Sequence, residues 1–594
     1  MDKEHKYDTL HAQEFRLIRI LPAMMSVIQC EIFHVSLDDP DLPPYLALSY
    51  AWGDAGDTEK IQLEGTPFSV TVSLHDALDA LRERDKTVLV WADALCINQQ
   101  NRHERTQQVR LMTDVYSKAT SVAIWLGKES RDSVSATESL KLLVSKADNP
   151  ELVTSLISSG DVDLAAIASL FGREYWKRLW VVQEILNSKD TKVYCGSTKL
   201  PWSVYKVASN MFLHHKADLD EHLPGGLSHE VGQDQYTLSQ VLVHQGPGSL
   251  PSLDSLQGQK GRALLHVMRK CRRKLCTDPK DKVFGILGVL QRDEVGFKVD
   301  YNLSVKEVYI NVVDSLLHTS NRLDVICEAF HFPVHTNTIS ASLPTWAPDW
   351  SHNPATTALG CEFGFSAAGD TQAEYRFIDR PRRNKLEISA VYLGTIKEHG
   401  IAVGTLCKLA DYLMAFVHWR ALLLGSELMA GLTDEGRRFH VEKAFCKTLC
   451  LNQVPEGFER SRDLRTACYH VFASSIRERL PHMPLDQELD QYVDANWNGD
   501  LDRQAFLKAN FGRRMMGRCF CITGEGHMGM GSGFMENDDV VVVPLGCRTP
   551  VILRECGDGE YRIVGDIYIN KYMEGRAIEC LEDRSKELRK YVLN

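Results

Sequence analysis

Ser49, Tyr50, Trp52 and Asp54 crowd the end of one apolar run, YLALSYAWGD, and bring together a hydroxyl, a phenol, an indole and a carboxylate. The run reads as a central strand that Gly53 and Gly56 release into a loop. Ligands of an open α/β sheet sit beyond the carboxyl ends of its strands, which places these four residues where a site would be; closing the strand would account for them equally well. Asp93 is the only charge in a second apolar run, VLVWADALCI. A carboxylate there is costly unless partnered, so Asp93 either caps a neighbouring loop or faces a ligand. A third group lies in GREYWKRLWVVQEILNSKD. At helical spacing Tyr175, Leu179, Val182 and Leu186 share one stripe, and Glu184 falls on the opposite side near Trp180 and Lys177. Trp176 and Trp180 flank that side, which suggests a cleft or an interface with Glu184 in it.

The elements that must hold these residues are legible around Asp93. VLVWADALCI suits a strand covered on both faces, and SVAIWLG is a second apolar run of strand length. Between them the spacing predicts a helix that begins after Asn101, with Asn101 as its cap and Glu104 reaching back toward that cap. Val109, Met112, Tyr116 and Ala119 form its buried stripe. Strand, helix and strand make a βαβ unit, so the sheet is expected to be mostly parallel. Upstream, FRLIRIL and IQCEIFHVSL read as an N-terminal hairpin, and IQLEGTPFSVTVSL as a hairpin turning at Glu64 and Gly65.

The 594 residues exceed one core and suggest three or so domains. A formal net charge of −11 argues against general nucleic-acid binding, which needs a clustered positive surface. Sixteen scattered cysteines favour reduced thiols and a cytoplasmic protein. No secretory signal and no apolar run long enough to span a membrane is visible. The expected layout is an α/β domain over 15–212, a loop-rich insertion over 213–260 and a mixed helical and β region over 261–400. A helical region over 401–510 and a small antiparallel β-sheet or barrel over 511–594 complete it. The basic run RKCRRK near one helix end would either hold a phosphate-bearing ligand or form a solvated face that complements the helix dipole.

Several motifs fall away on context. GEGHMG, 524–529, matches G-x-G-x-x-G, but a strand follows it and no helix is there to hold a pyrophosphate; a hairpin loop is expected. Cys446 and Cys450, and Cys519 and Cys521, lack a second pair at zinc-site spacing and read as buried thiols, so no metal site is expected. No P-loop, G-x-S-x-G or H-E-x-x-H sequence occurs.

YLALSYAWGD, the segment VLVWADALCINQQNRHERTQQVRLMTDVYSKATSVAIWLG and RLWVVQEI, in that order, resemble the three blocks of the fungal heterokaryon-incompatibility (HET) domain, over residues 15–205 or so. DPKDKVFGILGV, LPTWAPDW and the C-terminal strands resemble the flanking regions of large HET-domain proteins. The resemblance implies a role in non-self recognition and programmed cell death. HET domains in turn resemble Toll/interleukin-1 receptor (TIR) domains, which implies a flavodoxin-like fold and, through RLWVVQE, a match of Glu184 to the catalytic glutamate of NAD-cleaving TIR domains. On that footing NAD is a candidate substrate and no cofactor is required. Glu184 would hold the ribose hydroxyls, Trp180 would stack on a base, Trp52 would close the pocket, and Ser49, Tyr50, Asp54 and Asp93 would line the strand ends. The rival expectation is a non-enzymatic module that self-associates through the Trp176 and Trp180 face and engages an unidentified protein partner.

Overall fold

The computed structural model describes residues 6–23, 27–223, 229–231, 234–252, 263–290, 296–330, 342–354, 356–403, 409–453, 464–493, 503, 506–507 and 515–594. They divide into two compact units, Met1–Ser304 and Val305–Asn594, where three or so domains were expected. In the first unit β1 (Glu14–Ile20), β2 (Gln29–Ser36), β3 (Leu46–Tyr50), β4 (Thr58–Leu63), β5 (Thr66–Thr71), β6 (Val88–Trp91), β7 (Ser121–Trp125), β8 (Thr191–Cys195) and β9 (Thr198–Pro201) form one sheet. Its order is β5-β4-β2-β1-β6-β3-β7-β8-β9.

The helices of this unit are α1 (Val72–Leu81), α2 (Asp93–Cys96), α3 (Arg102–Lys118), α4 (Ser133–Ser145), α5 (Pro150–Ser159) and α6 (Leu164–Phe171). After these come α7 (Val181–Leu186), α8 (Trp202–His214), α9 (Lys216–His222), α10 (Leu238–His244), α11 (Ala263–Cys271) and α12 (Asp281–Leu287). Much of the stretch expected to be loop-rich is therefore helical, with a small hairpin of β10 (His229–Val231) and β11 (Asp234–Tyr236); its most open part by sequence, 246–261, begins with a 3-10 turn at Gly246–Ser249, and residues 253–262 lie outside the described residues.

The sheet is mixed rather than mostly parallel. β6, β3, β7 and β8 form an inner parallel block. The β1–β2 hairpin joins it antiparallel through β6, and β9 joins antiparallel to β8. The βαβ unit is present, but β3 lies between its two strands. The hairpin at Glu64 and Gly65 forms as expected, with both residues at positive φ.

VLVWADALCI is not one strand. It leaves the sheet at Trp91, and Asp93 opens the single turn α2. An apolar run of this length does not by itself distinguish a buried strand from a buried helical turn. The cap of α3 forms as expected, with Asn101 Oδ1 accepting from the His103 and Glu104 N–H groups at 3.0 and 3.2 Å. Glu104, however, turns to Arg16 of β1 (2.6 Å) and accepts from the Asn98 N–H at 2.7 Å, because a buried guanidinium needs a counter-charge. Asn101→Ala should therefore cost about 1 kcal/mol in urea denaturation while Asn101→Asp costs little.

In the second unit β12 (Tyr375–Phe377), β13 (Leu386–His399), β14 (Arg518–Thr523), β15 (Met528–Ser532), β16 (Val540–Pro544), β17 (Val551–Gly557), β18 (Glu560–Ile569) and β19 (Leu588–Leu593) form one sheet. The pairings β13-β14-β15-β18-β17-β16 return to β13 and close a ring. The helices Leu409–Gly425, Glu435–Leu449 and Leu464–Arg479 lie in the chain between β13 and β14. The helical region is thus an insertion within the barrel, whose first strand precedes it. Phe416 stacks on Phe472 at 3.9 Å between ring centres and Phe445 meets Phe520 of β14 at 5.1 Å, so the insertion shares a core with the barrel. Arg518 and Asp566 pair at 2.8 Å with both side chains fully buried. GEGHMG spans the β14–β15 turn and the start of β15, as its context predicts, and Cys446, Cys450, Cys519 and Cys521 are buried.

Candidate functional site

β3 carries Ser49 and Tyr50 to the end of the parallel block, and Gly53, at φ +76°, turns the chain away. Ser49 is fully buried, and its hydroxyl bonds the Tyr175 hydroxyl at 2.7 Å and donates to Glu184 Oε2. Glu184 is 2% exposed. Its other oxygen lies 4.0 Å from Nη2 of Arg178, whose Nη1 donates to the Tyr50 carbonyl. Arg178 also feels the charge of Asp93. Asp93 accepts from the Trp52 indole N–H at 2.9 Å and from its neighbour, the Ala94 N–H, at 2.8 Å. The Tyr50 phenol is buried beside Asp93.

Helical spacing predicts an outward side of one continuous helix for Glu184 and Trp176; both are buried. A 3-10 turn, Glu174–Lys177, ends at Arg178, which is extended (φ −69°, ψ 141°), and only then does α7 begin. One extended residue resets the helical phase, so Tyr175, Leu179 and Val182 are buried as expected but do not lie on one helix, and Glu184 turns inward beside them. Trp176 donates from its indole to the Leu170 carbonyl at 3.1 Å and packs on Trp202 and Tyr205 at 6.0 and 6.2 Å. At 2% exposure it offers no self-association face.

Of the expected site residues, the structure brings together Ser49, Tyr50, Trp52, Asp93 and Glu184. Trp52 is 40% exposed and covers Asp93 from outside. Asp54 is exposed and accepts from the Gly56 N–H at 2.9 Å, closing its own turn. Trp180 faces elsewhere, donating to Asp281 at 3.3 Å. Sequence reasoning missed Arg178 and Tyr175. The signal for Arg178 was a guanidinium six residues before Glu184 in an otherwise apolar stretch; Tyr175 carried none beyond its apolar spacing.

Burial dominates the electrostatics. It pushes the Glu184 carboxyl up to about 7, against the opposing pull of Arg178 and the Ser49 hydrogen bond. Burial likewise raises Asp93 above the usual carboxylate range, opposed by Arg178 and the Trp52 hydrogen bond. Arg178 is held well charged: burial opposes its charge, and the carboxylates of Glu184 and Asp93 outweigh it. A carboxyl poised near neutrality, touching one hydroxyl and facing one fixed cation, can accept a hydrogen bond, hold a proton or stabilise a developing positive charge. Among the described residues no group of three or more His, Cys, Asp or Glu side chains could hold a metal ion.

Residues 45–184 match the family model of the heterokaryon incompatibility protein (HET), a span that opens just before β3 and closes on Glu184 itself. That stretch of the chain carries the match to the HET domain. Residues 460–588 match the Het-6 β-barrel domain, although the ring also needs β13, which precedes that span. The whole chain is 26% identical to Heterokaryon incompatibility protein 6, OR allele, of Neurospora crassa over 672 aligned positions, covering 96% of this chain and 95% of that protein. No solved structure matches it. Among its described residues no single helix is long and apolar enough to cross a membrane.

Proposed function

We propose that this chain acts in fungal heterokaryon incompatibility, the recognition of non-self that leads to cell death, and that its first unit signals by hydrolysing the N-glycosidic bond of NAD. The observation that carries the reading is Glu184, a carboxyl at the end of the parallel block, buried against the Ser49 hydroxyl with Arg178 beside it. The supporting likeness is to TIR domains, in which a parallel flavodoxin-like sheet is followed by a helix bearing a glutamate. In the reaction the bond from the ribose C1′ to the nicotinamide nitrogen breaks and its electron pair leaves with neutral nicotinamide. Water adds to C1′ and loses a proton, giving ADP-ribose. Ionised Glu184 would hold the ribose hydroxyls and offset the positive charge that develops on the sugar, as carboxylates do in glycoside hydrolysis. Asp93 and Trp52 would border the ring, and the reduced thiols of the chain suit a cytoplasmic setting.

In the resting chain Glu184 is covered, so catalysis requires that it be uncovered, and assembly is the natural trigger. The test is nicotinamide release from NAD by the purified chain at several concentrations and as an enforced dimer. Release that rises with assembly and is lost in Glu184→Ala is the expected result. Absence of release under every condition, or undiminished release from the variant, removes the catalytic reading. The burial of Glu184 equally favours a second reading, a non-enzymatic module that signals by self-association; association without nicotinamide release selects it.

A further inference from the structure

The chain that follows the matched residues 45–184 folds back onto the element that carries Glu184. Leu275 forms a parallel bridge with Arg178: the Leu179 N–H donates to the Leu275 carbonyl at 2.9 Å and the Leu275 N–H to the Lys177 carbonyl at 2.6 Å. The buried Lys274 ammonium donates to the Trp176 carbonyl at 2.8 Å, and that of Lys282 to the carbonyls of Arg272 and Lys274, each at 2.6 Å. α12 then lies tightly on α7. A Cβ added at Gly285 would stand 3.1 Å from Leu179 Cδ2, and one at Gly288 would overlap Gln183 Oε1.

Asp281, the first residue of α12, accepts from the Trp180 indole at 3.3 Å and from the Tyr301 hydroxyl at 2.5 Å. The Arg105 guanidinium of α3 covers the Tyr301 ring at 4.4 Å. Arg110 Nε donates to the Val299 carbonyl at 2.8 Å. Lys274, Leu275, Asp281, Gly285 and Gly288 each make a contact on residues 176–183, a span that includes Arg178, whereas the other partner of Glu184, Ser49, lies on β3. A helix of six residues has too few internal hydrogen bonds to persist alone, so α7 takes its position from what packs on it.

We infer that α12, with Lys274 and Leu275 before it and Val299 and Tyr301 after it, is an intramolecular latch that holds α7, and with it Glu184, turned into the core, and that Asp281 between Trp180 and Tyr301 is its release point. The consequence for NAD rests on the function proposed above; the latch itself does not. Hydrogen exchange read by mass spectrometry on the full chain tests it with Asp281→Ala and Tyr301→Phe. Amides of residues 177–186 should exchange about tenfold faster in Asp281→Ala and by a smaller factor in Tyr301→Phe, with β3 and β7 unchanged. Nicotinamide release should rise in the same order. If residues 177–186 keep their protection in both variants, there is no latch. Faster exchange without nicotinamide release, in the enforced dimer as well, keeps the latch and removes the NAD reading. Should Asp281→Ala loosen β3 and β7 as well, Tyr301→Phe, which removes a single hydroxyl, decides by the same criterion.

Discussion

Glu184→Gln should make the first unit harder to unfold at pH 8 and leave its stability unchanged near pH 4. Glutamine keeps the shape and an acceptor for the Ser49 hydroxyl but cannot ionise. In the folded chain the Glu184 carboxyl titrates at about 7, against a usual value of 4.5. Below 4.5 it is protonated in folded and unfolded chains alike and costs nothing. Between 4.5 and about 7 the unfolded chain releases the proton while the folded chain keeps it, so the natural protein loses stability as the pH rises through this window. Above it the loss is complete, on the order of 3 kcal/mol, since each tenfold difference in proton affinity is worth ~1.4 kcal/mol. The variant escapes that loss. Urea midpoints of both chains across pH 4 to 8 measure it: midpoints that diverge on raising the pH, with the variant higher, are expected. A variant less stable at pH 8 would mean that Arg178 more than offsets the burial of the charge.

The second large effect is expected in the barrel. Arg518→Met should destabilise the second unit by about 3–5 kcal/mol, because it leaves Asp566 charged and buried without its partner. Among the described residues Asp566 then keeps the Leu359 N–H, which donates to it at 2.5 Å. Burial already raises the Asp566 carboxyl above the usual range while Arg518 opposes that rise, so without Arg518 the folded chain should take up a proton there more readily still. The variant should therefore recover part of its deficit as the pH is lowered. The double variant Arg518→Met, Asp566→Leu should be milder than the single one. Its residual cost comes from the Thr357 carbonyl, which accepts from Arg518 at 2.7 Å, and from the Leu359 N–H. Thermal unfolding of the three chains checks the order, and a double variant worse than the single one would refute it.

What can be read in the sequence follows local rules. The Asn101 cap, the turn at Glu64 and Gly65, and the α3 stripe of Val109, Met112 and Tyr116 each depend on a few neighbouring residues, and each forms. What cannot be read depends on partners far along the chain. Asp93 resembles a strand residue because an apolar run carries no mark of where a buried strand gives way to a buried turn. Glu184 points outward only if helical phase is carried through Arg178, whose extended backbone is fixed by Leu275, almost a hundred residues later. Glu104 fits its own helix cap by spacing, and it is Arg16, brought across by β1, that claims it. In the site, Ser49, Tyr50 and Trp52 are legible from their place at a strand end, and Asp93 as the only charge in an apolar run. The link among them, Arg178, is not, since its role arises only when two carboxylates from different elements converge.

The barrel's topology also fixes an order of events during synthesis. The nine-stranded sheet of the first unit has all its strands by Pro201. β13, in contrast, leaves the ribosome with none of its partners β14, β16 or β19 yet made, and β19 arrives roughly 190 residues later, some 10 to 40 s at ordinary elongation rates. During that interval the apolar face of β13 that carries Val391 and Leu393 lacks the later strands that share its core, β14, β16 and β18. The nascent chain thus carries an exposed strand for much of its synthesis, and a ribosome stalled anywhere between His399 and Leu588 would present a barrel with a missing wall.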